Sequence, residues 1–286
     1  MKRVLDDEPR PARRAGQHPG PVAFIGAGQL GGPMVRRLLA AGLDVSLYAR
    51  RPEVRDEFAA LGARSCASLA EAVATAEVVI CCLFNEAQAD EVLLAPGGLI
   101  GLARPGTVLV NHTTIGPRLL DRIGQAAAAR ALLLLDAPVS GGTDDIAAGQ
   151  LTILAGGDAA AIDQARPALV AYGDIVPTGG IGTATRVKLV NNLLFTVNTQ
   201  TAAAAGRLGE QLGIEAGVLF TAVLQCSGAS RAMQAMHASG SPAAFAQRGG
   251  KYTSKDVAAA LAAAAEAGAD PSLLAAIARD GPLPLT

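Results

Sequence analysis

The chain has 286 residues, half of them apolar, enough to bury one large core or two smaller ones. Its 24 basic and 25 acidic side chains leave a formal net charge of -1, which provides no broad attraction to nucleic acid or to an anionic lipid surface. Four cysteines without a CxxC pair, and three histidines far apart in the chain, lack the spacing of metal ligands, so no metal site is expected.

The first twenty residues mix Lys2, Arg3, Asp6, Asp7, Glu8, Arg10, Arg13 and Arg14 with Pro9, Pro11 and Pro19. They lack the apolar core of a signal peptide and read as a disordered leader, residues 1–20. No apolar stretch approaches the ~18 to 20 residues that span a bilayer: Asp136 and Pro138 interrupt one run and Glu266 another. Cys81 and Cys82 lie inside the apolar run Val78 to Phe84 and read as core thiols of a reducing compartment, hence a cytoplasmic protein.

From Val22 short apolar runs alternate with helical patterns, as in βα units building a parallel sheet. The predicted strands are Val22 to Ile25, Val45 to Tyr48, Val78 to Leu83, Thr107 to Asn111, Leu132 to Asp136, Leu151 to Leu154 and Asp174 to Val176. The first runs directly into Gly26-Ala27-Gly28-Gln29-Leu30-Gly31, and a helical pattern follows from Met34 to Leu39. Glycine-rich turns also cap ordinary helices, but a strand before and a helix after make this a dinucleotide fingerprint. Gly26 would serve the tight turn, Gly28 the approach of backbone to pyrophosphate, and Gly31 the packing of helix on strand. The pyrophosphate would sit at the helix N-terminus.

An acid at the end of the second strand would accept the ribose hydroxyls of NAD, whereas this position reads Tyr48-Ala49-Arg50-Arg51. Two guanidinium groups suit the 2′-phosphate of NADP, which is the expected cofactor, with NAD possible because Glu53 lies in the same turn. Further on, Ser140-Gly141-Gly142 follows a strand, where open α/β sheets place ligands and where glycines let backbone N–H groups approach a carboxylate. Alone, this segment would read as a plain glycine-rich turn.

After Gly182 strand signals stop and helical spacing takes over through Thr183 to Gly213, Ala216 to Leu224 and Ser254 to Ala267. The first of these is long enough for a helix of ~45 Å. The expected architecture is α/β: an N-terminal doubly wound Rossmann sheet, residues 21–182, joined by a long helix to an all-α domain, residues 183–286. Lys188 and Asn192 are four apart and share a face of that helix. An isolated helical lysine is ordinarily a surface residue; beside a substrate oxygen its ammonium could donate a proton to a carbonyl and take it back in oxidation.

Four segments together, Gly26 to Met34, Asp136-Ala137-Pro138-Val139-Ser140-Gly141-Gly142, Gly179-Gly180-Ile181-Gly182 leading to Lys188-Leu189-Val190-Asn191-Asn192, and Lys255-Asp256, resemble the β-hydroxyacid dehydrogenase family. That group contains 3-hydroxyisobutyrate dehydrogenase and the tartronate, glyoxylate and succinic semialdehyde reductases, and the likeness runs from Val22 to Ala267. The resemblance implies hydride transfer between NADP(H) and a small β-hydroxy acid or its semialdehyde. It places Lys188 as acid/base, Asn192 as its supporting amide, and Ser140, Gly141 and Gly142 on the substrate carboxylate. It puts Thr114 near the nicotinamide and substrate, a helix N-cap being the other reading of that threonine. Lys255 would stand at the mouth of the cofactor cleft, with Leu83 and Asn85 beside the nicotinamide or ribose. The resemblance also makes residues 183–286 the substrate and dimerisation domain, so a homodimer or homotetramer is expected.

Asp144, Asp145 and Ile146 depart from the small uncharged residues of the relatives, and the chain stops at Thr286 where the family carries a fuller last helix. Imine reductases share the architecture but usually replace the lysine, and phosphogluconate dehydrogenases carry histidine where Asn191 stands. An NADPH-dependent imine reductase and a dinucleotide-binding protein without turnover are the competing readings.

Overall fold

A computed structural model describes residues 20–285, residues 248–252 by backbone alone. The expected leader lies outside the described residues, apart from Gly20. By internal contacts the chain divides into two compact units, with the boundary in the sequence between Lys188 and Leu189.

In the first unit strands and helices alternate: β1 (Val22–Ile25), α1 (Gly31–Ala40), β2 (Val45–Tyr48), α2 (Pro52–Ala59), β3 (Arg64–Ser65), α3 (Leu69–Val73), β4 (Val78–Cys81), α4 (Glu86–Leu94), α5 (Leu99–Leu102), β5 (Val108–Asn111), α6 (Pro117–Ala129), β6 (Leu133–Asp136), β7 (Val139–Ser140), α7 (Thr143–Ala148), β8 (Leu151–Gly156), α8 (Ala159–Leu169) and β9 (Gly173–Gly179). Among the described residues these strands form one sheet in the order β3-β2-β1-β4-β5-β6-β8-β7, with β9 beside β8. Strands β1, β4 and β5 are buried along their whole length because helices cover both faces of the sheet. The period of two sorts their side chains: Val22, Phe24, Val78, Ile80, Val108 and Val110 enter one core, and Ala23, Ile25, Val79, Cys81 and Leu109 the other.

The sheet is parallel from β2 through β6, but β8 runs antiparallel to β6 and β7, so it is mixed rather than wholly parallel. Strands β6 and β7 run in the same direction, both antiparallel to β8, and the ten residues from Gly141 to Gln150 that carry α7 are fewer than the dozen or more of a parallel crossover, so the chain turns back into β8. The two-residue strands β3 and β7 carry too little pattern to be read from sequence.

The second unit is helical. The long helix α9 (Thr183–Gln211) leads into it, followed by α10 (Ala216–Val223), α11 (Arg231–Ala238), α12 (Pro242–Glu266) and α13 (Ser272–Asp280). Leu189, Leu193 and Val197, one helical turn apart on α9, pack with Val257 and Ala260 of α12 and Ala278 of α13. Helix α12 begins twelve residues before the expected start at Ser254, where Ser241 caps it by accepting from the Ala244 N–H at 3.1 Å. Helix α11 is short and was not expected; Ser230 caps it and Met233 and Met236 bury its inner face. The tail after α13 joins the core: Leu283 and Leu285 are buried. The Gln200 side chain donates to the carbonyls of Ala278 (2.9 Å) and Leu283 (2.8 Å) and accepts from the Leu283 N–H (2.9 Å).

Candidate active site

Strand β1 has β2 on one side and β4 on the other, so the order of the sheet reverses there, and ligands of such sheets bind at the strand ends beside that point. The turn after β1 shows why its glycines are needed. Gly26 has φ +99°, and a Cβ there would lie 2.4 Å from the Cys82 carbonyl oxygen; a Cβ on Gly31 would lie 2.1 Å from that of Gly26. Gly28 has nothing within 4 Å of its would-be Cβ, so its backbone stays open to a ligand. Ala27 is buried, Gln29 exposed and Leu30 half-buried as it enters α1. A cleft of about 870 Å³ opens over this turn, with Tyr48, Arg50 and Arg51 on one side and Leu83 on the other. A bare backbone, a helix N-terminus and this volume fit a dinucleotide, whose pyrophosphate Gly28 and α1 would meet.

No acid ends β2. Arg50 and Arg51 are exposed on the cleft rim, and Glu53 lies 3.9 Å from Arg51 in an exposed pair of little energetic weight. Arg55, which the sequence does not single out, donates to the carbonyls of Ala49 (2.6 Å) and Arg50 (3.3 Å) and so shapes this rim.

Two neighbouring strand ends are tied together. The Leu83 N–H donates to the Thr113 hydroxyl at 3.0 Å, joining the loop after β4 to the turn after β5. Asn85 caps α4, its side chain accepting from the Gln88 N–H at 2.9 Å, a duty separate from the nicotinamide contact expected of it. Thr114 is half-buried and is not the helix cap; Gly116 holds that position on α6. His112, between Asn111 and Thr113, is buried, with Nδ1 on the Ala137 carbonyl and Nε2 2.8 Å from the Tyr172 hydroxyl. A carbonyl only accepts, so Nδ1 carries the proton and Tyr172 donates to Nε2. Burial lowers the His112 pKa to about 4 and keeps the ring neutral. Burial also pushes the Cys81 thiol far up, which suits the core thiol expected.

At the end of β6, Asp136 is fully buried and accepts from the Thr185 N–H at 2.8 Å and the Thr185 hydroxyl at 2.7 Å. Burial raises its carboxyl above the ordinary range, while the donors of Thr185 and Gly182 and the charge of Arg186 pull it back. Ser140 ends β7 half-buried, and Gly141 takes φ +131°. The Gly142 N–H donates to the Asp145 carboxylate at 2.7 Å, a reach back from the first turn of α7. Asp145, one of the residues that depart from the relatives, thus engages an amide of the expected carboxylate clamp. Lys188 is half-buried on α9, one turn after Thr185. Asn192, four residues on, is buried, its side-chain oxygen accepting from Asn191 at 3.3 Å. Lys255 is exposed on α12. Among the described residues no group of three or more His, Cys, Asp or Glu could hold a metal, and no helix is long and apolar enough to cross a membrane.

Two family models divide the chain. Residues 21–182 match the NAD binding domain of 6-phosphogluconate dehydrogenase, and residues 182–279 the NAD-binding domain of NADP-dependent 3-hydroxyisobutyrate dehydrogenase. The chain belongs to the β-hydroxyacid dehydrogenase family. It is therefore an NAD(P)-dependent oxidoreductase, and the turn from Gly26 to Gly31 lies in its NAD(P)-binding domain. Among relatives in this family, the NAD-dependent L-serine dehydrogenase of Pseudomonas aeruginosa is 38% identical over 214 residues, covering 74% of this chain and 72% of the relative. The 3-hydroxyisobutyrate dehydrogenase of the same organism is 34% identical over 213 residues, covering 74% and 72%. The structure of the 3-hydroxyisobutyrate dehydrogenase of Mycobacterium tuberculosis with L-serine superimposes with a TM-score of 0.80 at 30% identity, covering 91% of each chain.

Proposed function

We propose that this protein oxidises a small β-hydroxy acid, or reduces the matching semialdehyde, using NADP(H) in preference to NAD(H), with Lys188 as general acid/base. The observation that carries the reading is the open backbone of Gly28 over the cleft at the end of β1, in a chain whose relatives act on L-serine and 3-hydroxyisobutyrate. Those two molecules share a hydroxymethyl group on the carbon that bears the carboxylate, and this is the substrate class proposed. The bound dinucleotide supplies or removes the hydride at the hydroxyl-bearing carbon.

The chain's residues do the rest. Lys188 takes the hydroxyl proton in oxidation and returns it in reduction. Asn192 orients the lysine. Ser140 and Gly141 hold the carboxylate; Gly142 contributes its lack of a side chain, since its amide is engaged by Asp145. Thr114 serves the substrate near the nicotinamide, Leu83 and Asn85 neighbour the nicotinamide or ribose, and Lys255 serves the mouth of the cofactor cleft. Arg50 and Arg51 read the 2′-phosphate of NADP from the rim that Arg55 shapes. The domains are residues 21–182 and 183–286. The exposed Leu208 of α9, Leu212 just after that helix and Val218 of α10 support assembly into a homodimer or homotetramer, and the compartment is the cytoplasm.

Initial rates with NADP+ and NAD+ on L-serine, 3-hydroxyisobutyrate and L-threonate, with the matching semialdehydes and a cyclic imine in reverse, test the proposal. Turnover of a hydroxy acid that Lys188→Ala abolishes, and an NADP+ preference that Arg50→Ala with Arg51→Ala erases, are the expected results. Reduction of the imine alone, with the rate kept in Lys188→Ala, would replace this reading with that of an imine reductase.

A further inference from the structure

We infer that Asp136 and Thr185 form a positioning pair for Lys188: a buried carboxylate at the end of β6 holds the first turn of α9 and thereby aims the lysine one turn later. This rests on the reading of Lys188 as the acid/base. A carboxylate removed from water is costly unless donors meet it, so a side chain placed only to fill the core would be apolar. Asp136 is fully buried and accepts from the N–H and the hydroxyl of Thr185, with the backbone of Gly182 as a further donor at the same helix start. An ordinary N-cap comes from the residue just before the helix. Here a strand 49 residues upstream in the chain serves a first-turn amide, so the start of α9 is registered to the sheet rather than only to its own loop.

Other contacts agree with such a keyed fit. Ala184 and Thr185 are buried, and a Cβ on Gly156 at the end of β8 would lie 2.9 Å from the Gly180 oxygen and 3.0 Å from the Thr183 hydroxyl. The Thr178 and Thr183 hydroxyls are 2.8 Å apart, and Thr183 reaches the Gly180 carbonyl at 2.6 Å. A helix is stiff over one turn, and residues three apart lie on neighbouring azimuths, so whatever rotates or lifts Thr185 moves Lys188 with it. Proton transfer requires the amine within hydrogen-bond reach of the substrate oxygen, and displacements on the order of 1 Å cost on the order of a hundredfold in rate.

The test compares Thr185→Val, Thr185→Ser, Asp136→Asn and Lys188→Ala. Each is measured for kcat and KM with L-serine and with 3-hydroxyisobutyrate, for NADPH affinity by fluorescence titration, and for thermal unfolding. Thr185→Val and Asp136→Asn are expected to lower kcat roughly 10- to 100-fold, with KM and NADPH affinity changed less than about threefold. Thr185→Ser, which keeps the hydroxyl, restores the rate to within about twofold of the original. Ile123→Val, a core change in α6, lowers the melting temperature with kcat unchanged and so separates instability from mispositioning. If Asp136→Asn does not fold, the Thr185 pair decides. The inference is overturned if folded Thr185→Val keeps the full kcat, or if Thr185→Ser is as slow as Thr185→Val. Lys188→Ala distinguishes the two readings: a retained rate removes Lys188 as acid/base and this inference with it, whereas loss of activity there beside a full rate in Thr185→Val removes this inference alone.

Discussion

Two glycine-rich turns, Gly26 to Gly31 and Gly179 to Gly182, each carry a strand into a helix, yet their surroundings give them different work. The first leaves the Gly28 backbone bare beneath a cleft. The second lies against the end of β8, where Gly156 has no room for a Cβ, and delivers α9 to Asp136. A third strand end, after β5, is closed by the buried His112 and Tyr172 pair. Glycine spacing alone therefore does not make a ligand site; what the neighbouring strands leave open does.

The largest effect expected is that of Gly31→Ala. Its Cβ would sit 2.1 Å from a backbone oxygen that cannot rotate away, so the variant should lose about 3 kcal/mol in urea unfolding. Dinucleotide binding should go with it. Unchanged stability would mean that the first turn is as loose as an ordinary loop.

The strand end closed by His112 should show itself in acid. The folded pKa of about 4 lies below the ordinary 6.5, so neutral His112 contributes its stability fully above pH 6.5. That contribution, on the order of 2 to 3 kcal/mol, is lost as the pH falls through 4. Chemical unfolding from pH 7 to pH 4 should be less pH-dependent in His112→Gln; parallel curves would remove the imidazole from the explanation.

Gly156→Ala should cost kcat about tenfold, by displacing Gly180 and the first turn of α9, while NADPH titration stays near the original. The reverse pattern would exchange the roles assigned to the two turns. Smallest is Gly28→Ala, which meets nothing within 4 Å and should change stability by no more than about 0.5 kcal/mol. NADPH affinity should nevertheless fall about tenfold, because the new methyl occupies the path of the pyrophosphate. An unchanged affinity would move the dinucleotide away from this turn.

Much of this was legible in the sequence because period and chemistry are local. Val22 to Ile25 followed by three spaced glycines can be read as strand, turn and helix without knowing the partners, and the helical spacing from Thr183 announces α9. Asp136 and Thr185 are different. Each lies in a recognisable segment, but 49 residues separate them, and neither spacing nor composition says that one caps the other's helix. Thr113, His112 and Tyr172 escaped for the same reason, and α11 was hidden because its Ser230 cap and two inward methionines make too short a pattern.

The sequence by itself determined the class of the molecule: a nucleotide-binding α/β unit, an all-helical second half, and a family whose motifs fall in order along the chain. Only the tertiary structure decided that the sheet is mixed, that Asp145 engages the amide of Gly142, that Arg55 shapes the cofactor rim, and that Asp136 holds the start of α9. Backbone periodicity is set by neighbours a few residues away, whereas a buried polar group takes its partners from whichever strand ends the fold brings within about 3 Å of it.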